Sequence, residues 1–521
     1  MLFWMIDWAI VFYMSEDGVY EIIPSNFLAE ALYLSIEKYP ERWYGSKLTI
    51  EQLPLYPGAL VFDGVDDYGT CDNFPILTKE KGYTVVALRQ YLFNATDKIR
   101  SLVTNAPSSI VSRSTLTFEL IGSNGAKTNF SFGKGNLVSD FEPNVFSYMT
   151  SKSYNGKTIT PGDVTESNKR ILVGNFSENG EYGSNVAIWE LVFLDHDATE
   201  EELTKIKDYF VKTYPWLFPD QAWTVVGKTN EDEDRATIAN ITGNGNNLVL
   251  SNFGFAEGSG YGLYKTPFEL YPSVQHSSKY SLSFSKFALG DHNLIIAPKQ
   301  NDLSYDIKVK VTGLKDGVKF KWGWIGTTGY IDITTDGIHM LNKPASQIRQ
   351  LLVEFAEDFD PDHVVTIEQI PEYEGYLVTD GVDDKAVSKR FKFGENFTVI
   401  LDFKFPVKKI SYCGFDLSSK VRIQNLQGSG VYVVLKGNRT LIPSNVVRAV
   451  TSEGKVYDEN WNEYNIVPGN ISSNYTMVNL GFDGSTQFAE SATKLAGIYS
   501  SALSKDDCIK AYNYLQTLKS K

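Results

Sequence analysis

One segment of 19 residues occurs twice in this chain, and it limits the fold more than any other feature. Residues 49–67 read TIEQLPLYPGALVFDGVDD, and residues 366–384 read TIEQIPEYEGYLVTDGVDD. Of the 19 aligned positions 14 are identical, where chance gives about one. The chain therefore carries two copies of one structural unit. The likeness continues weakly downstream, where Tyr83-Thr84-Val85-Val86 corresponds to Phe397-Thr398-Val399-Ile400. Upstream, Asp17-Gly18-Val19 echoes Asp336-Gly337-Ile338, and each is followed by a helical-looking stretch, Phe27 to Glu37 and Ala345 to Glu357.

The two units also close alike. Val186 to Leu194 reads as an apolar strand, followed by a turn at Asp195-His196-Asp197. Thr199 with Glu202 three residues on is a capping box, because each side chain can satisfy a free N–H of the helix start. Leu203, Ile206 and Phe210 then share one face of a helix. In the second unit Leu495 to Tyr499 is the strand, Ser504 with Asp507 resembles the cap, and Ile509, Tyr512 and Leu515 form the face. Between these landmarks the pattern is β. Thr115 to Leu120 and Phe130 to Phe132 flank the turn Ser123-Asn124-Gly125. Phe397 to Phe405 and Val431 to Leu435 read as strands, and Ile241 to Leu250 as a turn cluster feeding one. Between the units, alternation from Tyr305 to Val311, then Gly317 to Trp324 and Gly329 to Thr334, indicate a further small β-sandwich.

Length and charge set the outer limits. The 521 residues exceed one ordinary domain, and 13% aromatic residues with 41 Gly favour turn-rich β-structure. The net charge of −14 and the lack of any basic run beyond Lys169-Arg170, Lys389-Arg390 and Lys408-Lys409 disfavour nucleic-acid binding. Three cysteines, Cys71, Cys413 and Cys508, make no disulfide framework and no zinc spacing, and read as small buried hydrophobes. Leu2 to Met14 is apolar except for Asp7. It is too short to span a bilayer and lacks signal-peptide features, so it reads as a buried strand. No membrane insertion is expected.

FDGVDDY at Phe62 to Tyr68, with IWELVFLDHDATEEELTKIKDYF at Ile188 to Phe210, resembles the concanavalin A-like lectin/LamG jelly-roll superfamily. In that family a strand enters the turn, the Gly-Val-Asp-Asp tetrad reverses the chain and a second strand leaves. Asp63-Gly64 would supply the positive φ, while Asp66 and Asp67 would cap their own backbone. The second copy departs at Thr379 and Lys385. Residues 223–264 look like the opening strands of the same superfamily. The expected fold is thus all-β: two concanavalin A-like jelly-roll sandwiches with short C-terminal helices, plus a smaller inserted β-sandwich. The expected division is an N-terminal strand and helix segment at 1–48 and a first jelly roll at 49–220. An opening segment of the second follows at 221–265, the insertion at 266–365 and the remainder of the second jelly roll at 366–521. The first unit would need its own opening segment, for which Leu2 to Met14 is a candidate edge strand.

Tandem modules of this style are similar to virion proteins of tailed bacteriophages. That resemblance implies a structural or adhesive head-fibre, tail-fibre or decoration component, located in the virion. Its expected partners are other virion proteins and host-surface glycans, and its expected state a homo-oligomer, a trimer. A bacterial surface or secreted lectin is the alternative. A glycoside hydrolase of concanavalin A-like fold, the reading the residues favour least, would need two carboxylates facing one cleft. The candidate runs Glu231-Asp232-Glu233-Asp234 and Glu354, Glu357 and Asp358 read as solvated turn and helix positions. The histidines, His196, His276, His292, His339 and His363, stand in no nucleophile motif. No enzymatic activity, no catalytic, cofactor or metal residue and no cofactor are therefore expected. Calcium at Asp66, Asp67, Asp383 and Asp384 is the one ion kept in view. Tyr182, Tyr261, Tyr264 and Trp461, in loop-like stretches, are candidates for stacking on sugar rings.

Overall fold

The computed structural model describes residues 54–518 apart from short intervals, together with 2–5 and 31–34. The intervals of seven or more residues are 93–99, 105–116, 159–168, 176–182, 271–279, 286–295, 299–305 and 342–348. The chain is all-β, built of antiparallel sheets with two α-helices among the described residues.

Two six-stranded sheets form the first sandwich. Leu60–Asp63 (β1) ends one of them and Gly69–Cys71 (β2) ends the other. From β1 inward the first sheet runs through Asn185–Leu194 (β3), Thr84–Tyr91, Phe146–Thr150, Ser153–Tyr154 and Lys157–Thr158. From β2 the second runs through Ile171–Val173, Arg100–Thr104, Thr117–Ile121, Lys127–Phe130 and Asn136–Val138. The core between them holds Val85, Ala87, Phe118, Met149 and Ile171. The alternate residues Val86 and Leu88 are equally buried, but against a second apolar layer on the outer face. A strand covered on both faces reads as a continuous apolar run, and this one does.

That outer layer is the seam between the two large sandwiches. The helix Glu200–Thr213 (α1) places Phe210 in it, with Leu203 and Ile206 at its margin. Thr199 and Glu202 form the complete capping box read from the sequence. The second sandwich includes Leu248–Ser251 (β4), Gly260–Leu263 (β5), Glu372–Asp380 (β6), Lys385–Val387 (β7), Thr398–Lys404 (β8) and Glu490–Tyr499 (β9). One eight-stranded sheet runs β5, β6, β9, β8, Val446–Thr451, Lys455–Tyr457 and Glu463–Asn465, with Gln221–Thr224 also paired to β9. The other runs Thr237–Ile238, β4, β7, Val478–Leu480, Ser411–Leu417, Val421–Asn425, Val431–Leu435 and Asn438–Ile442. The strands at 221–263 therefore complete the same two sheets as those from residue 372 onward. Lys505–Gln516 (α2), capped by Ser504, lays Tyr512 and Leu515 into the seam. A five-stranded and a four-stranded sheet occupy 268–370.

Several expectations change. Leu2–Met5 is a strand, but it pairs with Ala31–Leu34 in a separate ribbon and with no strand of the first sandwich. The rest of Leu2 to Met14 lies outside the described residues, as do Asp17 to Val19. Ala31–Leu34, expected within a helix, is extended. So is Arg349–Phe355, which pairs with Val318–Trp324 over seven residues and with Ile296–Pro298. Its local sequence tolerates a helix, but cross-strand pairing fixes it as a strand. The tetrad also makes no hairpin. In both copies its flanking strands join opposite sheets, β1 and β2 in the first and β6 and β7 in the second, so the turn arches across the sandwich. Cys413 and Cys508 are buried as expected, whereas Cys71 is exposed on the end strand β2.

Candidate functional site

Each arch gathers three carboxylates at the rim of a sandwich. In the first, Gly64 takes φ +81°, the left-handed conformation that glycine adopts at no steric cost. Asp63 Oδ1 accepts from the Val65 N–H at 2.7 Å, and Asp67 Oδ2 accepts from the Asp63 N–H at 3.0 Å. The capping carboxylates are thus Asp63 and Asp67, rather than Asp66 and Asp67. In the second, Gly381 has φ +75° and the bonds repeat: Val382 N–H to Asp380 Oδ1 and Asp380 N–H to Asp384 Oδ2, both 2.8 Å. Each trio, Asp63 with Asp66 and Asp67 and Asp380 with Asp383 and Asp384, offers oxygens within 4.8 Å of one another.

The two arches differ in cover. The first trio is exposed throughout. In the second, Asp384 is 1% exposed. Asn252 reaches over to donate to the Asp383 carbonyl at 3.1 Å, and Ser259 is buried beside Asp384. Among the described residues no group makes a hydrogen bond of 3.5 Å or less to the enclosed Asp384 Oδ1, while the neighbouring Ser259 hydroxyl acts to lower the carboxyl's pKa. Burial, with the Asp380 charge adding to it, outweighs the Asp380 N–H bond and pushes the Asp384 carboxyl up to about 7. A buried carboxylate with an unsatisfied oxygen costs free energy, and a bound cation would offset that cost. An all-oxygen donor set suits a hard cation such as calcium, with Asp380, Asp383 and Asp384 as its ligands. The residues of the second arch fit that ion, and one buried carboxylate marks it off from the exposed first arch.

The other candidates are structural. Tyr261 and Trp461 are 6% and 4% exposed, members of the core and the seam, and so present no face to a sugar. Tyr264 stacks on Tyr280 at 4.2 Å between centroids. Tyr182 lies outside the described residues. His196 donates or accepts at Asp195 and Glu202, and these two bonds raise its pKa. His339 and His363 bond the carbonyls of Thr335 and Gly313; His276 and His292 lie outside the described residues. Asp232 caps Thr229 and Asp234 pairs with Lys228, so the acidic run is a turn. Glu354 belongs to a strand, not a helix, and Glu357 and Asp358 lie outside the described residues.

The sequence reading missed one cluster. Asp402, 3% exposed on β8, accepts from Tyr376, Tyr512, Gln516 and Arg448. Burial would raise its pKa, but the Arg448 charge and the Gln516 and Tyr376 bonds prevail and hold it below the usual range. The cluster ties α2 to the sheet. Its signal was an aspartate inside the apolar strand FTVILDFKF.

No protein-family model and no curated protein matches the chain. Among solved structures it is matched to a Trypanosoma rangeli sialidase in complex with sialic acid, with TM-score 0.23 and 8% identity over 91% of this chain and 98% of that one. It is also matched to a mutant NanB sialidase from Streptococcus pneumoniae, with TM-score 0.19 and 9% identity over 79% of this chain and 84% of that one. These two structures are sialidases, against the expectation of no enzymatic activity, and that expectation is not carried further. TM-scores of this size assign no activity in its place.

Proposed function

We propose that the chain is a structural and adhesive protein whose sandwich rims contact host-surface glycans or neighbouring subunits. A divalent cation would be held at Asp380, Asp383 and Asp384. The observation that carries the reading is the buried, unpartnered Asp384 Oδ1 beside two further carboxylates at a loop-bearing rim. Such a cation would fix the arch and leave its outer coordination positions to water, a sugar hydroxyl or a partner's carboxylate. A concanavalin A-like jelly-roll type for the two large sandwiches, and a tailed-bacteriophage particle as setting, are part of the same proposal. They rest on the duplicated module and on the GVDD arches. Assembly as a homotrimer would raise weak individual contacts by effective concentration.

Glycan-array binding of the full chain, with calcium and with a chelator, tests the reading. Capture of glycans that the chelator abolishes, and that Asp383→Asn weakens, is the expected result. Absence of calcium binding by calorimetry at millimolar ion, together with a monomer that captures no glycan, would refute it.

A further inference from the structure

The two copies of the repeat carry the same strand under different cover. Leu60 and Val61 on β1 align with Leu377 and Val378 on β6, identical in type. Leu377 and Val378 are 1% and 0% exposed, whereas Leu60 and Val61 are 62% and 45% exposed. The pairing explains the contrast. β6 lies between β9 and β5, with Gly260 opposite Val378 and Tyr261 opposite Leu377. β7 is likewise covered by β4. In the first sandwich β1 pairs with β3 and β2 with Ile171–Val173, and among the described residues each ends its sheet. Every other strand of the first sandwich has a counterpart at the same sheet position in the second. The added strands of the second all come from 221–263.

An end strand normally guards its free N–H and C=O groups with charge, a bulge or short length. β1 is short and ends in the exposed Asp63, but ahead of that residue it carries two large exposed apolar side chains, and no charged residue occurs from Leu53 to Phe62. An apolar row beside unpaired backbone groups is the surface to which strands add. The same cover accounts for the arches. Asn252 and Ser259 lie over the second arch, where Asp384 is buried, and the aligned Asp67 is exposed in the first.

We propose that the β1 and β2 edge of the first sandwich is a docking surface for an extended, uncharged segment of another polypeptide. That segment adds antiparallel to β1 as β5 adds to β6. The β5 contact defines its chemistry: a small residue opposite Val61, an aromatic opposite Leu60, and a glycine next to the aromatic. Gly262 supplies that glycine in β5 at φ +79°, where the register shifts.

The test uses the full chain and a fluorescent synthetic peptide of residues 246–264 carrying Glu257→Gln, which holds the strands β4 and β5 that cover the second copy. Saturable anisotropy binding is expected, with new hydrogen-exchange protection at the β1 amides that face away from β3. Leu60→Lys and Val61→Lys should each weaken binding roughly tenfold or more, the worth of one buried apolar side chain. Both side chains are exposed, so the variants should melt like the parent. Four results would each overturn the proposal. They are no saturable binding, binding unchanged in both variants, protection in the free chain of the β1 amides that face away from β3, and a dimer that Val61→Lys dissociates. The last would give the edge to a second copy.

Discussion

Replacing Asp384 by asparagine should stabilise the cation-free protein at alkaline pH. The carboxyl has a pKa of about 7 in the fold against an ordinary 3.8, so the native state favours its protonated form. Below pH 4 both states are protonated and the group costs nothing. As pH rises from 4 through 7 the unfolded chain ionises first, and stability from this group falls and then levels off. Three pH units at 1.36 kcal/mol each give an upper limit of about 4 kcal/mol. Relaxation of the arch around the charged form lowers that to about 1–2 kcal/mol. Asparagine keeps the shape, and its carbonyl can still accept from the Asp380 N–H. The assay is urea unfolding of parent and Asp384→Asn in a chelator at pH 4 and pH 8, followed by the fluorescence transition of the second sandwich. The variant should be about 1–2 kcal/mol more stable at pH 8 and close to the parent at pH 4. Saturating calcium should raise the parent's stability and not the variant's. A variant less stable than the parent at pH 8 in chelator would refute the reasoning, because the carboxylate would then be a net stabilising group.

Other perturbations test the framework. Asp402→Ala strips the partner from the largely enclosed Arg448 and should cost about 3–5 kcal/mol in urea unfolding; loss below about 1 kcal/mol would show the cluster to be well solvated. Thr199→Ala removes the α1 cap and should cost about 0.5–2 kcal/mol, read as a lower melting temperature of the first sandwich. Gly381→Ala forces a Cβ to 2.8 Å from the Glu490 nitrogen at a positive φ, and should destabilise the second sandwich by more than about 1 kcal/mol.

Local chemistry made much of this fold legible. Thr199 with Glu202, and Ser504 with Asp507, announce helices because a cap is satisfied by residues three apart. The all-β class follows from alternation and turn residues. Arg349–Phe355 was illegible as a strand because its partners, Val318–Trp324 and Ile296–Pro298, lie some 30 and 50 residues upstream. Trp461 looked like a loop aromatic because it sits among polar residues, yet it packs edge-on against Tyr512 of α2, a neighbour chosen by the fold. Asp402 was hidden for the same reason, since Arg448 and Gln516 come from other elements.

The duplicated segment draws the boundary most sharply. The sequence alone determined the turn at each copy: glycine permits the left-handed conformation, and aspartates cap it through bonds that span two and four residues, but that the turn arches between sheets instead of closing a hairpin was decided by the strands on either side. It could not determine what those arches do, because Leu60 and Leu377 are the same residue in the same local context. Only the tertiary structure decided that one is exposed and the other covered. Burial depends on which distant strand lies alongside, and the strands Leu248–Ser251 and Gly260–Leu263 lie beside the second copy.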